Sequence, residues 1–236
     1  VASNIYRKRA LWCYLASVLV LVLGLIVAAR HYPGGFDWAY MVASSLASQK
    51  DNPDGHVWYA GALGMAMVLL WPYISAIKNT FSPTRPRLEI FAVGALRIGL
   101  ICGFLVSLEG LFIRDLAHWI HKGHEIIATI AFLGLFTGVF SLLIQAMLQQ
   151  RIYVFPALLV AAPLLAIAIT QVWLYLQQRD IGWVGTNWRQ MGIPFWLSFP
   201  FWQWLAMVFL ETGLGLLAFL RTDTDEAGTH TSRTSL

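Results

Sequence analysis

Residues 10–30 read ALWCYLASVLVLVLGLIVAAR, with no charged side chain before Arg30. Wound at 3.6 residues per turn, this stretch has apolar residues on every side rather than along one stripe. A helix of that kind is either buried all round or surrounded by lipid. Its length matches the roughly 20 residues that cross a bilayer core. Five further apolar runs follow, at about 57–77, 89–111, 124–148, 152–176 and 200–220. Only 12% of the 236 residues are charged and 58% are hydrophobic, whereas a soluble domain carries about 25% charge. The expected fold is all-α: a polytopic transmembrane helical bundle of six spans, forming one domain over 1–221. The polar stretch 222–236, TDTDEAGTHTSRTSL, has little to pack and is expected to be a disordered cytoplasmic tail.

Charge orients this bundle. Arg7, Lys8, Arg9, Lys78, Arg85, Arg87, Arg151, Arg221 and Arg233 flank one set of span ends. Arg30, Lys50, Arg114, Lys122, Arg179 and Arg189 flank the other, and Arg97 alone falls inside a span. The richer side is expected to be cytoplasmic, with both termini on it. Trp12 and Trp71 mark inner boundaries, and the other tryptophans mark outer ones, where aromatic belts form. The net charge of +4 is accounted for by these flanks, so no nucleic-acid partner is implied. The first run lacks a small-residue cleavage site and reads as a retained span, not a signal peptide. Cys13 and Cys102 fall within spans and read as small buried apolar residues. The expected location is the inner (plasma) membrane of a prokaryote.

The chemistry-bearing residues gather on the outer side. His31, His56, His118, His121 and His124 lie in or beside outer segments, with Asp37, Asp51, Asp54, Asp115, Glu125 and Asp180. In Asp115-Leu-Ala-His118-Trp119-Ile-His121-Lys122-Gly-His124-Glu125, helical winding puts Asp115, His118, His121, Lys122 and Glu125 on one face. His118, His121 and Glu125 are candidate ligands for a divalent metal, although zinc helices usually space their histidines at i, i+4. The same pattern suits a solvated face lying on the interface. Residues 36–48 are expected to form a short helix with Asp37, Tyr40, Ser44 and Ser48 on its polar side. Residues 177–200 are expected to form an interfacial cap. His56, His118 and His121 with Asp37 or Asp115 are the candidate acid–base set. Ser44, His56, Trp119, His124 and Glu125 are the candidate lipid or ligand pocket. Asp54-Gly55-His56 can equally be a turn that starts a helix.

Within the membrane, Arg97 and Glu211 each lie about 13 Å from the inner ends of their spans, at 1.5 Å per residue. An unpaired charge at that depth is costly, so mutual pairing is expected. Glu109 lies near the outer end of its span and can reach the outer cluster instead. Haem is not favoured, because the histidines sit at span ends.

Two resemblances bear on function. Ser44-Ser45-Leu46-Ala47-Ser48, Asn52-Pro53, Gly55-His56 and Ala62-Leu63-Gly64 resemble the first outer loop and second helix of DRAM-like membrane proteins and their prokaryotic relatives. His124-x-x-x-Ala128-x-x-x-Phe132 is similar to their fourth helix. The resemblance covers about 25–130 and implies a six-helix fold loosely associated with membrane lipids, without catalytic residues to transfer. The outer His, Asp and Ser set also resembles in kind the zinc site of membrane hydrolases such as alkaline ceramidases. Those have seven helices and a terminal H-x-x-x-H that is absent here. Three functions follow as expectations. The first is a lipid-associated protein or an accessory subunit of a membrane complex. The second is a lipid hydrolase or transferase. The third is a proton-coupled transporter using Arg97, Glu109 and Glu211.

Overall fold

The computed structural model describes residues 2–78, 86–113, 123–177 and 189–231. Among these residues there are helices and turns and no strand. Helix α1 spans Ala2–Arg30, the short α2 Ser44–Ala47, α3 His56–Ile77 and α4 Pro86–Phe112. Helix α5 spans Gly123–Gln149, α6 Val154–Gln177 and α7 Phe199–Thr231. Single 3-10 turns, Arg151–Tyr153 and Phe195–Leu197, lead into α6 and α7.

Six helices are long and apolar enough to cross a membrane, and they coincide with the six expected spans. The protein is an integral membrane protein with a helical-bundle fold. An even number of crossings leaves both chain ends on one face, called the terminal face below; the opposite face is the loop face. Large apolar side chains such as Leu19, Leu133, Ile169 and Val208 point outward. In lipid this costs nothing, because the helix surface and the acyl chains are equally apolar.

Without a hydrophobic drive between helices, close packing decides which of them meet. The most extensive contacts join α4 to α5, α1 to α3 and α3 to α4. At the α4–α5 crossing a Cβ on Gly134 would lie 2.7 Å from the Ala95 carbonyl and 2.7 Å from the Gly99 amide nitrogen. At the α1–α3 crossing a Cβ on Gly24 would lie 2.7 Å from the Trp58 carbonyl. Helix α7 packs on α6, α5 and α1. The rings of Tyr14 of α1 and Tyr73 of α3 lie tilted against each other at 5.3 Å between centroids, and both hydroxyls donate into α7. Tyr14 reaches the Glu211 carbonyl at 2.8 Å, and Tyr73 reaches the Leu214 carbonyl.

Three expectations need correction. The helix expected over 36–48 is reduced to α2, because tertiary partners take the backbone groups it would need. The Ala43 amide donates to Gln203 Oε1 at 2.9 Å, and Trp204 Nε1 donates to the Met41 carbonyl at 3.0 Å. The last span ends at Ala218, close to the expected 220, but its helix does not stop there: helical backbone runs on to Thr231. Adding a residue to an existing helix costs far less than starting one. Cys13 and Cys102 are free thiols and only half-buried.

Candidate functional site

The site grows from the turn Lys50-Asp51-Asn52-Pro53-Asp54-Gly55-His56. Asn52 is fully buried. Its Nδ2 donates to the Ala28 carbonyl at 3.0 Å and to the Leu46 carbonyl at 3.2 Å. Its own carbonyl accepts from the Gly55 and His56 amides at 3.2 and 2.9 Å. One side chain thus ties the end of α1, the end of α2 and the start of α3 together. His56 turns its ring back onto this same turn, with Nδ1 3.0 Å from the Pro53 carbonyl and 3.2 Å from that of Asn52. Here the ring fastens the turn that precedes α3. His31 likewise sets its Nδ1 2.8 Å from the Val27 carbonyl, at the end of α1.

This turn holds α2 over the loop-face ends of α4 and α5. Gln49 Nε2 donates to the Gly110 and Leu111 carbonyls at 3.3 and 3.2 Å, satisfying groups that a helix end leaves without partners. Beside it lies a cavity of about 150 Å³ with a mixed polar and apolar lining. Ser44, Ser45, Ser48, Gln49 and Asp51 line it from one side, and Glu109 and His124 from the other. His124 Nδ1 lies 2.6 Å from Glu109 Oε2, a short histidine–carboxylate contact. The Glu109 side chain is 14% exposed and that of His124 29%, so water screens the pair only partly. Nearby, burial and then the Asp51 carboxylate push the Tyr32 phenol up, while a hydrogen bond with Ser45 pulls it down. Two carboxylates, Asp51 and Glu109, line the pocket.

A second cluster closes the loop face elsewhere. Asp37 Oδ2 meets Arg189 Nη2 at 2.8 Å, and the Arg189 guanidinium lies 4.9 Å from the Tyr40 ring centroid. Phe36 meets Trp38 and Trp204 edge-on, and the two tryptophans lie tilted against each other at 5.4 Å between centroids. Ser198 Oγ accepts from the Phe201 amide at 3.4 Å and so caps α7.

The expected residues thus sort as follows. Ser44 and His124 share the cavity; His56 and Asp37 do not line it. Glu125 is exposed and also does not line it. Asp115, His118, Trp119 and His121 lie outside the described residues, so their place is not assigned. Among the described residues no group of three or more His, Cys, Asp or Glu is placed to share a metal. Glu109 reaches the outer cluster, as its position near a span end suggested. The signal that finds its partner is topological: Glu109 and His124 flank one short connection between antiparallel helices.

The expected Arg97–Glu211 ion pair is not formed. Helices α4 and α7 share no extended contact, so the two side chains do not meet. The Arg97 guanidinium lies 5.5 Å from the Trp71 ring centroid, and its Nη2 donates to Ser75 Oγ at 3.4 Å. Glu211 Oε2 is buried without a hydrogen-bond partner. Comparisons of the chain with protein-family models, with curated proteins and with solved structures find no match.

Proposed function

We propose that the protein is a lipid-associated membrane protein whose loop-face cavity holds a small lipid headgroup bearing an amine. The Glu109–His124 contact on the wall of a serine-lined cavity carries this reading. Serine hydroxyls and the Gln49 amide offer both donors and acceptors, and Asp51 and Glu109 favour a cation over an anion. The cavity lies at the loop-face ends of α4 and α5, at headgroup level. The resemblance of residues 44–64 to DRAM-like proteins supports the same role. An accessory-subunit role uses the same face as a docking surface.

Lipid retention tests the proposal. Protein reconstituted in nanodiscs of mixed phosphatidylethanolamine and phosphatidylglycerol is expected to enrich the former around itself. Glu109→Ala is expected to remove that enrichment, and Glu109→Gln to reduce it by several-fold, while the thermal melt stays within a few degrees. Equal lipid profiles for all three proteins would sink the reading.

One observation favours a second reading. A histidine–carboxylate pair beside hydroxyls is also the arrangement of a general base with its orienting group. A hydrolase predicts turnover of a lipid ester or amide that is lost in His124→Ala and retained in His56→Ala. Bound metal in stoichiometric amount, found by elemental analysis, would bring His118 and His121 into that chemistry.

A further inference from the structure

The groove between α3 and α4 faces the membrane. Met67, Val68, Trp71 and Pro72 line it from α3, and Leu100, Ile101, Phe104 and Leu105 from α4. Its volume is about 340 Å³ and its lining is almost wholly apolar. Helix α3 runs toward the terminal face and α4 runs back, so Trp71 and Ile101 mark the end of the groove nearer that face.

Arg97 stands at this end, one helical turn before Ile101 and on the same side of α4. Helical side chains lean toward their own N-terminus, which for α4 is the terminal face. The guanidinium therefore reaches past Trp71 to Ser75, two residues before α3 ends at Ile77. That is about 3 Å of helix rise, so the charge sits at the interface although its backbone is deeper. Ser75 Oγ already donates to the Trp71 carbonyl at 2.9 Å, and Arg97 Nε is buried without a partner. No carboxylate meets this arginine among the described residues. Lys78, directly after α3 and three residues beyond Ser75, adds a cation near this level.

An apolar channel that ends in an unneutralised guanidinium at headgroup depth has the form of an amphiphile site. We infer that this groove binds one anionic glycerophospholipid of the terminal-face leaflet, with its phosphate on Arg97 and one acyl chain along α3 and α4. Arginine suits a phosphate because its planar fork donates two parallel hydrogen bonds. Lys78 favours a headgroup without its own cation, because choline or ethanolamine would add a like charge beside it.

Native mass spectrometry of the full chain in detergent tests this, with phosphatidylglycerol, phosphatidylcholine of the same chains, and palmitate as probes. The wild type is expected to hold one phosphatidylglycerol about tenfold more tightly than phosphatidylcholine, the scale of one charge-assisted hydrogen-bond pair. Arg97→Gln is expected to erase that preference. Ile101→Trp, which fills the channel without touching any charge, is expected to lower the affinity for both phospholipids. If Arg97→Gln does not fold, as judged by its circular-dichroism melt, Ile101→Trp still decides the case. Equal retention of the two phospholipids by the wild type would overturn the inference, as would unchanged binding in the channel-filled variant. Displacement of phosphatidylglycerol by palmitate would make the site one for a single-chain acid instead. A dimer that forms in place of the lipid complex would mean that a second copy covers the groove.

Discussion

At the scale of single residues, Asn52 does more than any histidine to build the site. Its side chain donates to two carbonyls of different segments while being fully buried. Asn52→Ala leaves the Ala28 and Leu46 carbonyls without that donor, and is expected to cost about 2–3 kcal/mol. Gly55 stands against the same side chain: a Cβ there would lie 2.5 Å from Asn52 Nδ2 and 2.8 Å from the Ala28 carbonyl. Gly55→Ala must displace that amide and is expected to cost about 1–3 kcal/mol. Thermal melts in detergent check both, and a melt unchanged by Asn52→Ala would refute the tie. The Asn-Pro and Gly-His pairs were legible in the sequence as a turn. That Asn52 is the buried tie was not, because its partners lie 24 residues before it and six residues before it. The histidines misled for a related reason. His56 is a ligand candidate by type, but a ring at a helix start finds carbonyls of its own turn first.

At the scale of elements, the apolar runs located the spans well, because length and lack of charge are local properties. What runs and counts do not contain is which helices touch. Arg97 and Glu211 matched in depth and charge, yet α4 lies against α3 and α5 while α7 lies against α6, α5 and α1. Contact here is set by small residues at crossings, and these give a direct test. Gly134→Ala places a methyl group 2.7 Å from the backbone of α4 and is expected to destabilise by about 1–3 kcal/mol. Gly94→Ala, on the neighbouring helix, meets nothing within 4 Å and is expected to be neutral or slightly stabilising through helix propensity. Equal melts for the two variants would mean that α4 and α5 do not cross where described. The short α2 shows the opposite limit: a helical pattern over 36–48 yielded to hydrogen bonds from Gln203 and Trp204, more than 150 residues away.

At the scale of the molecule, six crossings separate two faces. Single cysteines at Lys78 and Arg151 are expected to react with an impermeant maleimide from one side, and cysteines at Asp54 and Gln190 from the other, in a background with Cys13 and Cys102 replaced. Labelling of all four from one side would remove the six-span arrangement. The loop face also holds the two ends of the bundle's sequence together. Asp37, Tyr40, Met41 and Ala43, in the first connection, take their partners from Arg189 and Ile193 in the last connection and from Trp204 and Gln203 in the first turns of α7. Synthesis delivers these partners more than 150 residues apart. While the ribosome is still adding the middle spans, the first connection has a peptide amide and a peptide carbonyl that only the final hairpin can satisfy. The first connection therefore takes its finished shape only after the last helix is made, and a nascent chain stopped before residue 189 would display it to whatever chaperone or protease patrols that side of the membrane.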